Sequence, residues 1–212
     1  MVEKTLFSDT DLKIEILKKG EDLTGFTCGN KTLDDFFHQE VVLCCKYKYL
    51  SAYTVKHIKT NEIVCLFTLA NDVITLDKED VEDIKEVIRE EYRIIFEQQT
   101  SLPAVNIGHL ATKLPYQCRG IGSFVVNYVL SMLLSHKATG VQFITVDSLN
   151  NPKTNKFYMN NGFLYQTNED IMAETRRMFL SLIEYIEAYT KYKSEESENI
   201  KWMYSDPSLR SG

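Results

Sequence analysis

The chain has 212 residues, 44% hydrophobic and 25% charged, with 24 Lys and Arg against 30 Asp and Glu for a formal charge of −6. That composition closes a core without a metal or disulfide staple and disfavours unaided binding of duplex DNA. The five cysteines are irregularly spaced, form no CxxC unit and are not joined by histidines at metal-ligand spacing, so we expect no metal site and reduced thiols in a cytoplasmic protein. The charged stretch Met1 to Asp9 is not a secretory signal, and no apolar run reaches the roughly 20 residues of a membrane span.

In chain order, Gly20, Gly25 and Gly29-Asn30 punctuate a mixed N-terminal stretch. Leu33, Phe36, Phe37, Val41 and Cys44 then recur at spacings of three and four, with Thr32 as a cap, which predicts a helix over 32–46. Tyr49 to His57 and Glu62 to Leu69 predict a hairpin that turns at Lys59-Thr60-Asn61. Segment 77–98 carries an apolar stripe and a heavily acidic outer face, and reads as one long helix or two short ones. Ala104 to Thr112 predicts a central strand, and the almost wholly apolar Phe124 to His136 predicts a helix buried against a sheet.

Val141 to Val146 reads as a strand. Asn151-Pro152 opens a short helix that Gly162 stops, and Phe163 to Tyr165 begins another strand. Met178, Leu182, Tyr185, Tyr189 and Tyr192 keep helical spacing, whereas Arg177 to Ile183 suits a strand equally well. Residues 184–212 form a C-terminal helical or polar tail. The order predicts an α/β protein with one continuous core over 1–183.

Two segments carry chemistry. The first is Gln117-Cys118-Arg119-Gly120-Ile121-Gly122, between a strand and the apolar helix. Its glycines let the backbone approach a ligand, the free N–H groups of the helix start face an anion, and Arg119 adds a charge-assisted contact. It matches neither the GxGxxG fingerprint nor the Walker A pattern. The second is Asn151 to Phe163. Asn151 is a helix cap, Asn155 has an amide for backbone or ligand, and Tyr158 has a hydroxyl able to protonate a leaving thiolate. Equally, Tyr158 pairs with Phe157 as plain aromatic core.

Together these segments resemble the GCN5-related N-acetyltransferase (GNAT) superfamily. The resemblance rests on Gln117 to Gly122, on Asn151-Pro152 with Asn155-Lys156-Phe157-Tyr158, and on Asn161-Gly162-Phe163. Phe26-Thr27-Cys28-Gly29-Asn30, Leu33-Asp34-Asp35-Phe36-Phe37 and Ile107-Gly108-His109-Leu110-Ala111-Thr112 are similar to the tRNA-acetylating toxins of bacterial toxin–antitoxin pairs.

The resemblance implies the GNAT fold, a central mixed, mostly antiparallel sheet flanked by helices, with a final strand near 177–183 rather than a helix there. It implies acetyl-CoA as cofactor, with Gln117, Cys118, Arg119, Gly120, Ile121 and Gly122 around the pyrophosphate and Leu110 and Thr112 beside the pantetheine arm. Asn151 and Asn155 would steady cofactor and helix, and Tyr158 would be the general acid. It also implies aminoacyl-tRNA as acceptor, a ribbon-helix-helix antitoxin as partner, and a homodimer for which the apolar run 178–192 is a candidate interface. Cys118 stands where the family usually has glycine, which a negative φ would tolerate, and His109 stands where the toxins commonly have arginine.

The residues themselves leave the acceptor open. Aminoacyl-tRNA competes with a small amine, a polyamine or a protein amine, and with an acyl-CoA-binding regulatory module that turns nothing over. Basic side chains for RNA group as Lys46, Lys48, Lys56 and Lys59, and as Lys153, Lys156, Arg176 and Arg177. His109 or a water is the one base the sequence suggests.

Overall fold

The structure is a computed structural model and describes residues 11–75, 90–99, 101–135 and 138–192. Most of the acidic segment 77–98 and the tail beyond 192 lie outside the described residues. Within it, α2 (Glu90–Glu97) is helical as expected.

A seven-stranded sheet carries the molecule, in the order β1-β2-β3-β4-β5-β7-β6. Its strands are β1 (Leu12–Ile16), β2 (Ser51–His57), β3 (Ile63–Ile74), β4 (Leu102–Thr112), β5 (Phe143–Leu149), β6 (Leu164–Tyr165) and β7 (Thr175–Ser181). Every neighbouring pair is antiparallel except β4 and β5, which run parallel. This is the mixed, mostly antiparallel sheet flanked by helices that the resemblance implies.

Helix α1 comprises Lys31–Asp35, a π-turn over Phe36–Glu40, and Val41–Lys46. Asn30 caps it by accepting from the Leu33 N–H at 3.1 Å, two residues before the Thr32 expected from sequence. On the α1 face, Phe26, Phe37 and Val41 pack on Ala52, Leu66 and Ala111. On the opposite face, Ile121, Val125, Val126 and Val129 of α3 (Ile121–Ser135) meet Cys65, Phe67, Ile107, Ile144 and Met178. Helix α4 (Pro152–Asn160) joins that layer through Tyr158.

Both readings of the C-terminal run hold, over different residues. β7 pairs with β5 from Thr175 to Ser181, and residues 183–192 are then helical. Met178, Phe179, Leu180 and Leu182 are interior, so this part of the proposed dimer surface is spent on the core. Tyr185 and Ile186 remain exposed. The mixed N-terminal stretch supplies β1, whose LKIEI sequence is too short for its alternation to stand out.

One irregularity sets up the site. Thr68 pairs with His109 and Leu69 with Ile107, so Gly108 is an extra residue in β4. A bulge flips the alternation of faces beyond it. Ile107 and Leu110 therefore both join the α3 side, while His109 and Ala111 lie on the α1 side.

Candidate acyl-CoA site

Parallel β4 and β5 pair over only three positions, Ala104–Phe143, Val105–Ile144 and Asn106–Thr145. Beyond them β5 continues against β7 to Leu149, and β4 continues against β3 to Thr112. The two strands thus part toward their C-terminal ends and leave a crevice, the usual location for ligands in open sheets.

The facing edge of β4 is polar. Lys113 donates its N–H to the Val64 carbonyl at 2.9 Å, so the hydrogen-bonded pairs alternate back through Ala111–Leu66. Leu110 and Thr112 are then the non-hydrogen-bonded positions, and their N–H and C=O groups point away from β3 toward the crevice. The Thr112 carbonyl accepts from the Gln117 side chain at 3.1 Å. The Leu110 N–H, the Leu110 carbonyl and the Thr112 N–H line the edge.

The 117–122 loop closes the end of that edge. The Gln117 amide also donates to the Cys28 carbonyl at 2.7 Å, so its side chain anchors the loop to the segment before α1. Gly120 turns the chain at φ +83°, and its carbonyl accepts the Phe124 N–H at 3.0 Å. It is the residue before the first turn of a 15-residue helix, and the N–H groups of that turn have no intrahelical acceptor. They collect at an exposed glycine, with the positive end of the helix dipole behind them. Ile121 is buried beneath, and the Arg119 guanidinium lies 5.7 Å from the Tyr116 ring.

Two loop residues differ from expectation. Cys118 is left-handed, at φ +60°, and its side chain is exposed. The negative φ that would excuse a Cβ at a glycine position is not what the chain adopts. Gly122 answers to packing as well, since a Cβ there would stand 2.9 Å from two ring atoms of Phe157.

In the second segment, Asn151 accepts the Thr154 N–H at 3.0 Å and caps α4, as its sequence predicts. Asn155 is buried, accepting from the Ser148 hydroxyl at 2.9 Å and donating to Asn150 at 3.1 Å. Asn150 in turn donates to the carbonyls of Ile171 and Ala173. This chain ties α4 to β5 and to the loop before β7, so the side chain of Asn155 steadies the helix.

Tyr158 is 7% exposed. Its ring meets Phe157 at 4.9 Å and Phe163 at 5.3 Å, both edge-on. Burial, reinforced by the Cys65 thiol and the Asp147 carboxylate, pushes the phenol far above its ordinary value. It therefore stays protonated at neutral pH. Cys65 beside it is pushed up to about 12 by burial and is no nucleophile.

His109 stacks on Phe36 with centroids 3.6 Å apart and bonds Thr68 at 3.0 Å. Burial lowers its pKa and so favours the neutral ring. Three members of the predicted basic groups are held in ion pairs. Lys56 is 4% exposed and pairs with Glu15 and Glu21. Arg176 pairs with Asp170, and Arg177 with Asp147 and Asp72. Sequence reading missed the bulge and the Ser148 tie. A glycine inside a strand pattern was the available signal for the first.

No family model matches the sequence, and no curated protein does. Solved structures do match. A tyrosine-to-phenylalanine mutant of KacT superposes with a TM-score of 0.67 at 22% identity, covering 84% of this chain and 99% of that one. The fold is that of the GNAT acetyltransferases. A tyrosine-to-phenylalanine mutant of the AtaT toxin, bound to the C-terminus of the antitoxin AtaR and acetyl-CoA, matches with a TM-score of 0.61 at 25% identity. It covers 83% of this chain and 97% of that one. AtaT complexed with acetyl-methionyl-tRNAfMet matches with a TM-score of 0.63 at 24% identity, covering 81% and 95%. What those proteins bind is a property of theirs; the GNAT fold is what this chain shares. Among the described residues, no helix is long and apolar enough to cross a membrane and no cluster suits a metal.

Proposed function

We propose that this protein is an N-acetyltransferase that moves an acetyl group from acetyl-CoA to a primary amine, the amine of aminoacyl-tRNA in particular. One observation carries the reading. The open edge of β4 at Leu110 and Thr112 leads, through the short turn Leu114–Tyr116, to an exposed left-handed Gly120 at the head of a long helix. An extended amide-bearing arm suits the first, and a pyrophosphate suits the second. The residues present thus fit acetyl-CoA.

Bound acetyl-CoA would supply the acyl group as an activated thioester. The N–H groups at Gly120, Ile121 and Gly122 hold the anion, and Arg119 adds positive charge beside them. The Leu110 N–H donates to the reacting carbonyl oxygen as charge develops there. Tyr158 holds a proton at its hydroxyl throughout the physiological range and is the donor for the departing thiolate. An α-amine, with a reference pKa of about 8, needs little help from a base, whereas a lysine near 10.4 needs more. The carboxylate that acts on Tyr158, Asp147, is paired with Arg177, which favours an acceptor that needs no base, the aminoacyl amine. The matched AtaT structures, one with an antitoxin and one with acetyl-methionyl-tRNAfMet, support the same acceptor and an antitoxin as partner.

Isothermal calorimetry with acetyl-CoA, followed by labelled acetyl transfer to charged tRNA, spermidine and peptides, tests the proposal. Uptake abolished by Gly120→Glu and label on charged tRNA are expected. Label on spermidine or peptide alone would move the acceptor to another amine. Uptake without transfer to any acceptor would leave a regulatory acyl-CoA-binding module. No uptake by folded protein would overturn the reading.

A further inference from the structure

The turn after α1 reads Lys46-Tyr47-Lys48-Tyr49, and we infer that its two tyrosines and two lysines form a docking platform for single-stranded RNA. This rests on the proposed aminoacyl-tRNA acceptor and names the surface that would receive its unpaired end. Tyr47 is 72% exposed and Tyr49 74%, more than any other described tyrosine or phenylalanine. Rings such as Phe37, Phe67, Phe143 and Phe163 pack in the core, and these two forgo that burial. Lys46 lies 5.3 Å from the Tyr47 ring centroid, and both lysines are exposed. Stacking faces interleaved with cations suit a single strand, whose bases stack and whose phosphates need charge.

Backbone conformation adds an independent observation. Lys48 is left-handed, at φ +59°, between the two tyrosines. Glycine is the residue that such a position favours. A lysine kept there against local preference points to work done by its charge.

The turn is also well placed. Ser51, two residues past Tyr49, pairs with Leu69, and Leu69 pairs with Ile107. Ile107 is where β4 leaves β5. Ser51 therefore stands level with the point where β4 and β5 part, displaced along the sheet by two strand spacings, about 10 Å from β4, and the platform directly precedes it. A few nucleotides span that distance. Lys56, Arg176 and Arg177 are held in ion pairs, unlike the exposed lysines of this turn, for which the ring of Tyr47 is the neighbour of Lys46.

The test is fluorescence anisotropy of the full chain with a labelled unpaired oligoribonucleotide over a range of salt, beside acetyl-CoA calorimetry and sedimentation. Wild-type protein should bind the RNA, and a Tyr47→Ala/Tyr49→Ala variant should bind at least about ten-fold more weakly. Lys48→Gly should raise the melting temperature, relieve the left-handed residue, and still weaken binding, with the log–log salt slope shallower by about 0.7. Acetyl-CoA affinity should be unchanged in both variants. Equal RNA affinity in wild type and variants would overturn the inference. So would variants that alter only the oligomeric state, which would make the turn an interface between copies. Absent acetyl-CoA uptake in wild type would count against the acetyltransferase reading separately, and the anisotropy would still decide this one.

Discussion

The ring of Phe157 occupies the space that a side chain on Gly122 would fill, 2.9 Å from the position of its Cβ. The first turn of α3 and the middle of α4 therefore touch through a glycine. Gly122→Ala should push the ring away and cost about 1–3 kcal/mol, as overpacking does. Urea denaturation measures it. Adding Phe157→Leu should recover part of the loss, and strict additivity would show that the two residues do not share this space.

Cys118 provides the opposite case. At φ +60° its Cβ is strained, and the side chain is exposed. Cys118→Gly should stabilise the fold by roughly 0.5–1 kcal/mol, the left-handed relief exceeding the added freedom of the unfolded chain. An unchanged or lower denaturation midpoint would refute this. Acetyl-CoA affinity should hold or improve.

Tyr158→Phe keeps the ring packed between Phe157 and Phe163 and removes the hydroxyl alone. Acyl transfer should fall about 10²–10⁴-fold with acetyl-CoA affinity nearly unchanged. Because the folded phenol titrates above its ordinary value of about 10, its protonation stabilises the fold at lower pH. That contribution is lost as pH rises from there through the folded value. Melting temperature should therefore fall less steeply with alkaline pH in Tyr158→Phe than in wild type.

His109 should make the fold acid-sensitive. Burial lowers its pKa below the reference of about 6.5, so the unfolded chain takes up the proton first. The stability present above that pH is lost as pH falls below it. His109→Phe, which can keep the stack on Phe36, should flatten the pH dependence of the melting temperature between about pH 7 and 5. Parallel curves for the two proteins would sink this.

Local chemistry reaches the sequence directly, and there the sequence determined the outcome. The apolar run becomes α3, the Asn151-Pro152 pair starts α4, and β-rich segments become β2 to β5, since periodicity, capping and φ preference act within a few residues. The loop 117–122 was equally legible as a helix-capping turn. Partnerships across the chain were decided only by the tertiary structure. Gln117 is tied to Cys28, Lys56 to Glu21, Arg177 to Asp72, and Gly122 faces Phe157 because distant strands and helices meet. The bulge at Gly108 depends on the partner strand, and the crevice depends on β4 and β5 choosing different neighbours. Composition cannot encode register, which is a property of two strands at once.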